Sequence, residues 1–172
     1  FNEIDGTTIK SAVVTTDPLT AAHNVKINGV AIGGSFSGAT AADSAASKAA
    51  AINAVSDQTN VVATAKTVIR LGVDLVNATL GDTADAEIGG IVTSFAAVTD
   101  VDELASTINA AVGSSTDIVA SIEADTGLLR LESASGQNIT VDAGTDTALF
   151  DRALNEDGSA VTGFASAAGT GF

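Results

Sequence analysis

The sequence predicts an α+β fold of two related β-α-β-β modules, with mostly antiparallel strands and short Ala-rich helices packed on them. Segments that alternate between apolar and polar residues predict the strands. Ala-rich stretches with apolar residues three or four positions apart predict the helices. Short pieces of sequence also recur in the same order along the chain. We therefore assign residues 1–80 to a first module with an N-terminal strand, and residues 81–172 to a second module with a C-terminal return segment.

The first module contains an Asn-Gly pair between two β-like segments. Asn28-Gly29 in VKINGVAI indicates either a tight type I′ hairpin turn or a bulge. A capping-box-like start at residues 40–43 predicts a helix that ends near Ser56, and Gly72 predicts a bulge or bend. The helix would present one apolar face. Its members are Ala45, Ala49, Ile52 and Val55. The predicted strands are 7–14, 25–32, 61–65 and 68–76.

The second module has the clearer helix signals. Asp100 and Glu103 suit the cap and the N3 position, and Gly113 is a natural stop after an apolar face that includes Leu104 and Ile108. Residues 125–127 predict a hairpin turn. Residues 146–155 (DTALFDRALN) are interpreted as a short helix, and the tail after them as a loose return segment. The predicted strands are 86–95, 118–123, 128–133 and 138–142.

The two modules align piece by piece, which indicates a duplication. The aligned pieces are Ile27-Asn28-Gly29-Val30 with Ile88-Gly89-Gly90-Ile91, Ala51-Ile52-Asn53-Ala54 with Thr107-Ile108-Asn109-Ala110, Val61-Val62-Ala63 with Ile118-Val119-Ala120, and Arg70-Leu71 with Arg130-Leu131. The alternative is chance recurrence of Ile, Asn and Ala in an Ala-rich chain, and the shared order favours duplication.

The composition excludes several classes of function. The net charge is −14, and such an acidic surface repels nucleic acid and anionic membranes as partners. The chain has no Cys, which excludes disulfides and zinc sites built on Cys. It also has no Trp or Tyr, the side chains that usually line sugar-binding clefts. No apolar run is long enough to span a bilayer.

Residues that could carry chemistry are few. His23 is the one histidine, and it is interpreted as a surface or edge residue. The glycine-rich residues 33–38 lack the Gly-Lys-Ser/Thr ending of a phosphate loop and are interpreted as a flexible connection. The acidic clusters match no EF-hand loop, and we predict no metal site and no cofactor. These clusters are Asp82/Asp85/Glu87, Asp100/Asp102/Glu103 and Asp151/Glu156/Asp157 with Gly158.

The stretch from Lys26 to Thr67 resembles the flagellin IN motif, which occurs in the variable outer region of bacterial flagellins and in some hook-associated and filament-cap proteins. An Ile-Asn-Gly strand end is followed by a helix that closes on Ala-Ile-Asn-Ala, a Ser-Asp-Gln-Thr turn and an alternating Val/Ala segment. Residues 87–142 resemble the motif more loosely, since Gly89 replaces its Asn. The chain lacks the long heptad helices of flagellin's termini, and it has no Met even at position 1. The resemblance therefore implies the central, outward-facing part of a flagellin, excised from its termini.

That resemblance implies a structural, non-catalytic domain on the outside of an extracellular flagellar filament, where it sets surface charge and antigenicity. Its partners would be other flagellin subunits, contacted through termini outside this sequence, and the fragment itself would be monomeric. Surface Ser and Thr residues would be possible sites of O-linked glycans. These residues are Ser35, Ser37, Thr40, Ser114, Ser115 and Thr116. The alternatives are a hook-associated or cap protein, and an adhesin or glycan-binding module of a bacterial surface.

Overall fold

The computed structural model describes residues 3–5, 8–10, 17–35, 41–78, 80, 86–144 and 148–161. It confirms the predicted α+β class, since a few short helices accompany sheets with antiparallel strands. The chain forms two compact units, whose division differs from the predicted one at residue 80. The first unit comprises Phe1–Lys66 and Ser135–Asn138, and the second comprises Thr67–Ala134 and Ile139–Phe172.

The first unit contains two short hairpins. Strands β1 (Glu3–Asp5) and β2 (Thr8–Lys10) pair antiparallel. Of the predicted strand 7–14, residues 7 and 11–14 lie outside the described residues. A 3₁₀ turn (Ala21–His23) leads to β3 (Lys26–Ile27), which pairs with β4 (Val30–Ala31).

Helix α1 (Ala45–Asn53) begins after Ser44, whose Oγ accepts a hydrogen bond from the Ser47 amide at 3.1 Å. Residue 40, the predicted start, lies outside the described residues. The predicted apolar face is wrong, because the fully buried residues of α1 are Ser47, Lys48 and Ala51. An Ala-rich helix has little amphipathic contrast, so its sequence does not mark which face is buried. Helix α1 ends three residues before the predicted end near Ser56, and the residues predicted as a turn form the short helix α2 (Ser56–Thr59).

Residues 61–66 belong to no strand and to no sheet ladder in the described part of the first unit. The predicted strand at 61–65 is therefore wrong. The alternation is real, since Val62 is exposed while Val61 and Ala63 are half-buried.

The second unit contains two sheets and one long helix. Its elements are β5 (Thr67–Val73), β6 (Ala86–Ile88), β7 (Ile91–Thr93), α3 (Val101–Val112), β8 (Ile118–Ile122), β9 (Leu129–Ser133), β10 (Val141–Asp142) and β11 (Phe150–Asn155). One sheet has the order β11-β5-β9-β8 and the other has the order β10-β6-β7. Because β5 pairs with β9 and β11, residues 67–73 belong to the second unit.

Helix α3 confirms the predicted cap. The Asp100 carboxylate accepts a hydrogen bond from the Glu103 amide at 2.8 Å, and the Glu103 carboxylate accepts one from the Thr99 amide at 2.8 Å. Gly113 follows the last helical residue as predicted, but its φ of −65° is right-handed, so it is not a left-handed stop.

The core of the second unit is formed by side chains from α3 and from the strands of both sheets. Inward side chains alternate along the strands, as the pleat requires. The fully buried residues include Leu71, Ile88, Phe95, Leu104, Ile108, Leu129, Leu131 and Phe150.

The predicted helix at 146–155 is wrong, because residues 150–155 form strand β11. Phe150 and Ala153 are both buried, a three-residue spacing that imitates a helix face. The spacing arises from an irregularity between Phe150 and Arg152, where the ladder with β5 shifts register. A bulge adds one residue to a strand, so two inward residues stand three positions apart instead of two. Gly72, where a bulge or bend was predicted, thus lies on β5 opposite the bulge in β11.

Candidate functional site

The two hairpins at the repeated Ile-x-Gly pieces have the same turn. Ile27 pairs with Val30 and Ile88 pairs with Ile91, so each hairpin has a two-residue loop. In the first loop Asn28 has φ 51° and Gly29 has φ 83°; in the second the values are 60° and 80°. Two left-handed residues in succession define a type I′ turn, and Asn-Gly is a preferred pair for it. The alternatives of turn and bulge at Asn28 therefore resolve to the turn.

The repeated Ile-Asn-Ala pieces contribute the same two-point contact in each unit. Asn53 Nδ2 donates to the Ala63 carbonyl at 2.9 Å, and the Ala63 amide donates to Asn53 Oδ1 at 2.7 Å. Asn109 makes both bonds with Ala120 at 2.8 Å. Each side-chain amide uses one N–H as donor and its oxygen as acceptor, so each Asn bonds to both backbone groups of one residue, as a neighbouring strand would.

A threonine after each helix repeats a second contact. Thr59 Oγ1 donates to the Val55 carbonyl at 3.0 Å and accepts from the Val61 amide at 3.2 Å. Thr116 Oγ1 makes the corresponding bonds to the Val112 carbonyl and the Ile118 amide, at 3.0 and 3.2 Å. Each hydroxyl therefore links the carbonyl four residues before it to the amide two residues after it.

The two copies differ where Gly89 replaces Asn28. Asn28 Nδ2 donates to the Thr59 carbonyl at 2.8 Å, which ties the hairpin turn to the helix end. At Gly89 a Cβ atom would lie 2.6 Å from the Ile118 Cδ1 atom and 3.5 Å from the Thr116 Cγ2 atom. The first unit has Val61 at the position of Ile118, and valine lacks that Cδ1 atom. The glycine is therefore matched to the larger isoleucine.

The residues named as possible glycan sites differ in accessibility. Ser35 is buried; its Oγ donates to the Ala42 carbonyl at 2.5 Å and accepts from the Leu19 amide at 2.8 Å. Thr116 is half-buried in the contact described above, whereas Ser114 and Ser115 are exposed in the turn after α3. Ser37 and Thr40 lie outside the described residues. Ser114 and Ser115 are thus the two described residues of this set that an enzyme can reach without unfolding.

His23 and the glycine-rich connection both have structural contacts. His23 is exposed, and its Nδ1 accepts a hydrogen bond from the Thr20 amide at 3.0 Å, which closes the 3₁₀ turn. At Gly34 a Cβ atom would lie 3.0 Å from the Leu19 carbonyl oxygen, so this glycine allows a close approach of two backbone segments.

The acidic clusters do not converge. Among the described residues, no group of three or more His, Cys, Asp or Glu side chains could hold a metal ion. Asp100 and Glu103 cap α3, and Asp157 accepts hydrogen bonds from the Ser159 amide and hydroxyl at 2.9 and 2.6 Å. These bonds, the one from the hydroxyl above all, lower the pKa of Asp157. Residues 82 and 85 lie outside the described part of the chain.

The outer face of the four-stranded sheet carries ion pairs instead of a cleft. Arg70 on β5 lies directly opposite Arg130 on β9. Arg70 Nε donates to the two carboxylate oxygens of Glu123 at 2.8 and 2.9 Å, and Arg130 pairs with Glu132. The bond from Arg70 holds the pKa of Glu123 below its ordinary value of 4.5, and a bond from the Thr126 hydroxyl assists.

Lys48 is the buried cation of the first unit. Burial lowers the pKa of its ammonium group, while the nearby carboxylates of Asp43 and Asp17 oppose that shift. Asp43 also accepts a hydrogen bond from Asn138 Nδ2 at 3.2 Å.

Searches of protein-family models, curated proteins and solved structures find no match to this chain. None of the described helices is long and apolar enough to cross a membrane.

The sequence analysis does not predict the two-point contacts of Asn53 with Ala63 and of Asn109 with Ala120, although the sequence contains a pattern that marks them. Both copies contain Ile-Asn-Ala followed, ten or eleven residues after the Asn, by an Ala at the third position of an apolar segment. Spacing alone does not say that the Asn side chain, and not another strand, faces that Ala.

Proposed function

We propose that this chain is a structural outer-surface domain of a bacterial flagellin, solvent-exposed and non-catalytic, that forms part of the filament's outer face. The proposal rests on an arrangement that recurs in both units. It consists of a type I′ hairpin, a helix, a threonine whose hydroxyl bonds to two backbone groups, and an asparagine whose amide bonds to both backbone groups of one alanine. The residues that carry the resemblance to the flagellin IN motif, Asn28 and Asn53, each make backbone contacts. The motif is therefore a folding unit, which agrees with a structural role.

The polar side chains that could otherwise do chemistry support the same view. The hydroxyls of Ser35 and Thr116 and the imidazole of His23 bond to backbone atoms within short segments. Such bonds position loops, which agrees with a structural role for these side chains.

The charge distribution suits a surface that faces solvent. Exposed carboxylates occur in both units. They include Asp17, Asp57, Glu87, Asp100, Asp102, Glu103, Asp125, Asp151, Glu156 and Asp157. With a net charge of −14, copies of the domain repel one another, so we expect a monomer in solution. A tight oligomer at micromolar concentration in sedimentation would contradict this expectation.

Peptide mass spectrometry of filaments sheared from cells of the source bacterium tests the proposal. Peptides of this chain should be present in the purified filament at the abundance of its principal subunit. Trace abundance would point to a hook-associated or cap protein. Recovery with the cell envelope, and not with the filament, would favour an adhesin and contradict the proposal.

A further inference from the structure

Strand β8 is the outermost strand of the four-stranded sheet, next to β9. In an antiparallel ladder, hydrogen-bonded pairs alternate with pairs whose amides and carbonyls face away from each other. The Glu123 amide donates to the Leu128 carbonyl at 2.9 Å, just beyond the Ile122–Leu129 pair. Because the pairs alternate, the amide and carbonyl groups of Val119 and Ser121 face β9. The backbone groups of Ala120 therefore face outward, at the open edge.

Asn109 of α3 occupies that open edge. It donates to the Ala120 carbonyl and accepts from the Ala120 amide, both at 2.8 Å, and Thr116 covers the next outward amide, that of Ile118. Three of the backbone groups that a fifth strand would use, the amide of Ile118 and the amide and carbonyl of Ala120, are thus bonded to side chains.

The edge would otherwise suit the addition of a strand. Val119 of β8 is 58% exposed, and β8 (IVASI) contains no charged residue and no Pro. An exposed, uncharged edge of this kind is a template for pairing with another chain, and natural proteins block such edges.

We propose that Asn109 is an edge guard, whose side-chain amide takes the place of a fifth strand and prevents β8 from pairing with β8 of a second copy. The occupant it excludes is a second copy because the same edge, rotated by a twofold axis, offers an antiparallel partner of identical sequence. The proposal rests on the geometry of the sheet and stands whether or not the domain belongs to a filament.

The test compares two matched alanine variants of the 172-residue chain. Asn109→Ala removes the two side-chain hydrogen bonds from the sheet edge, and we expect its mass in solution to rise at least twofold from the 16.8 kDa of one chain as concentration increases. Asn53→Ala removes the same two hydrogen bonds from residues 61–66, which are in no described ladder, and should stay monomeric. Light scattering after size exclusion measures both masses. A folded, monomeric Asn109→Ala variant would overturn the proposal, and so would equal association of both variants.

A further variant localises the contact. Adding Val119→Lys to Asn109→Ala puts a cation on the edge strand, which blocks strand addition, and should restore the monomer without restoring the lost bonds. Persistent association of the double variant would place the contact elsewhere and refute the proposal. If Asn109→Ala does not fold by circular dichroism, Asn109→Gln decides, because its longer side chain cannot keep both bonds in place. Association of a folded Asn109→Gln variant supports the proposal that Asn109 prevents pairing of β8, and a folded monomer overturns that proposal.

Discussion

Single side chains in this molecule act as partners for backbone groups. Asn53 and Asn109 each satisfy the amide and carbonyl of one alanine, and Thr59 and Thr116 each satisfy the amide two residues after them. A buried or half-buried backbone group without a partner costs about 1–3 kcal/mol, so these contacts fix where each of the bonded segments lies. The polar residues of the motif therefore contribute to the fold and not to a reactive centre.

The pairing of Gly89 with Ile118 predicts a coupled substitution. Gly89→Asn alone should destabilise the second unit by about 1–3 kcal/mol, because its Cβ would overlap Ile118 Cδ1. Gly89→Asn with Ile118→Val restores the Asn and Val combination of the first unit and should recover much of that loss. Urea denaturation of the two single variants and the double variant measures the coupling. Strictly additive losses would show that the two sites do not compensate each other.

The Glu123 carboxylate predicts part of the acid sensitivity. Because Arg70 lowers its pKa in the folded state, its stabilisation is complete above the ordinary value of 4.5 and is lost as pH falls through the lowered value. Glu123→Gln should therefore be less stable than the parent near neutral pH, and its stability should fall less on acidification. Thermal unfolding across this range checks the prediction. Glu87→Gln, an exposed residue of β6, is the control and should follow the parent, and identical acid profiles for all three chains would refute it.

The elements show how far sequence patterns reach. The hairpin at Asn28-Gly29, the cap of α3 and the strands β8 and β9 follow from local signals, namely a turn pair, an acidic N-cap and strict alternation. The errors arise where distant contacts decide. A bulge gave β11 a helical spacing, and the burial of α1 depends on Ser47 and Lys48, which its Ala-rich sequence does not mark as inward.

The same limits apply to the candidate site. Recurrence located Asn53 and Asn109, but only the folded chain shows that their amides face Ala63 and Ala120. Ser35 is predicted as a surface serine because its sequence neighbours include Gly and Ser, yet its hydroxyl is bonded to the backbone and buried.

The bulge in β11 makes Gly72 sensitive to substitution. A Cβ atom there would lie 2.8 Å from Arg152 Cγ and 1.9 Å from Asp151 Oδ1, so both side chains must move. We expect Gly72→Ala to cost about 1–3 kcal/mol of unfolding free energy. Gly33→Ala is the matched control, because a Cβ atom at Gly33 meets nothing within 4 Å. Equal stability of the two variants in chemical denaturation would show that β11 yields easily at the bulge.

The whole molecule combines two units built on one repeated arrangement with a strongly acidic surface. Its stability depends on small apolar residues and backbone bonds, since only 3% of its residues are aromatic. Repulsion between copies and a guarded sheet edge both disfavour association of this domain with itself. A domain of this kind suits a position where many copies are held close together by other parts of the subunit.

Immunogold electron microscopy of intact cells, with antibodies raised against the 172-residue chain, most directly tests the proposed place of this domain on the outer face of the flagellar filament. We predict gold along the whole length of the flagellar filament, and loss of the label from cells whose filaments have been sheared off. Label confined to the hook or the filament tip, or spread over the cell body, would contradict the account.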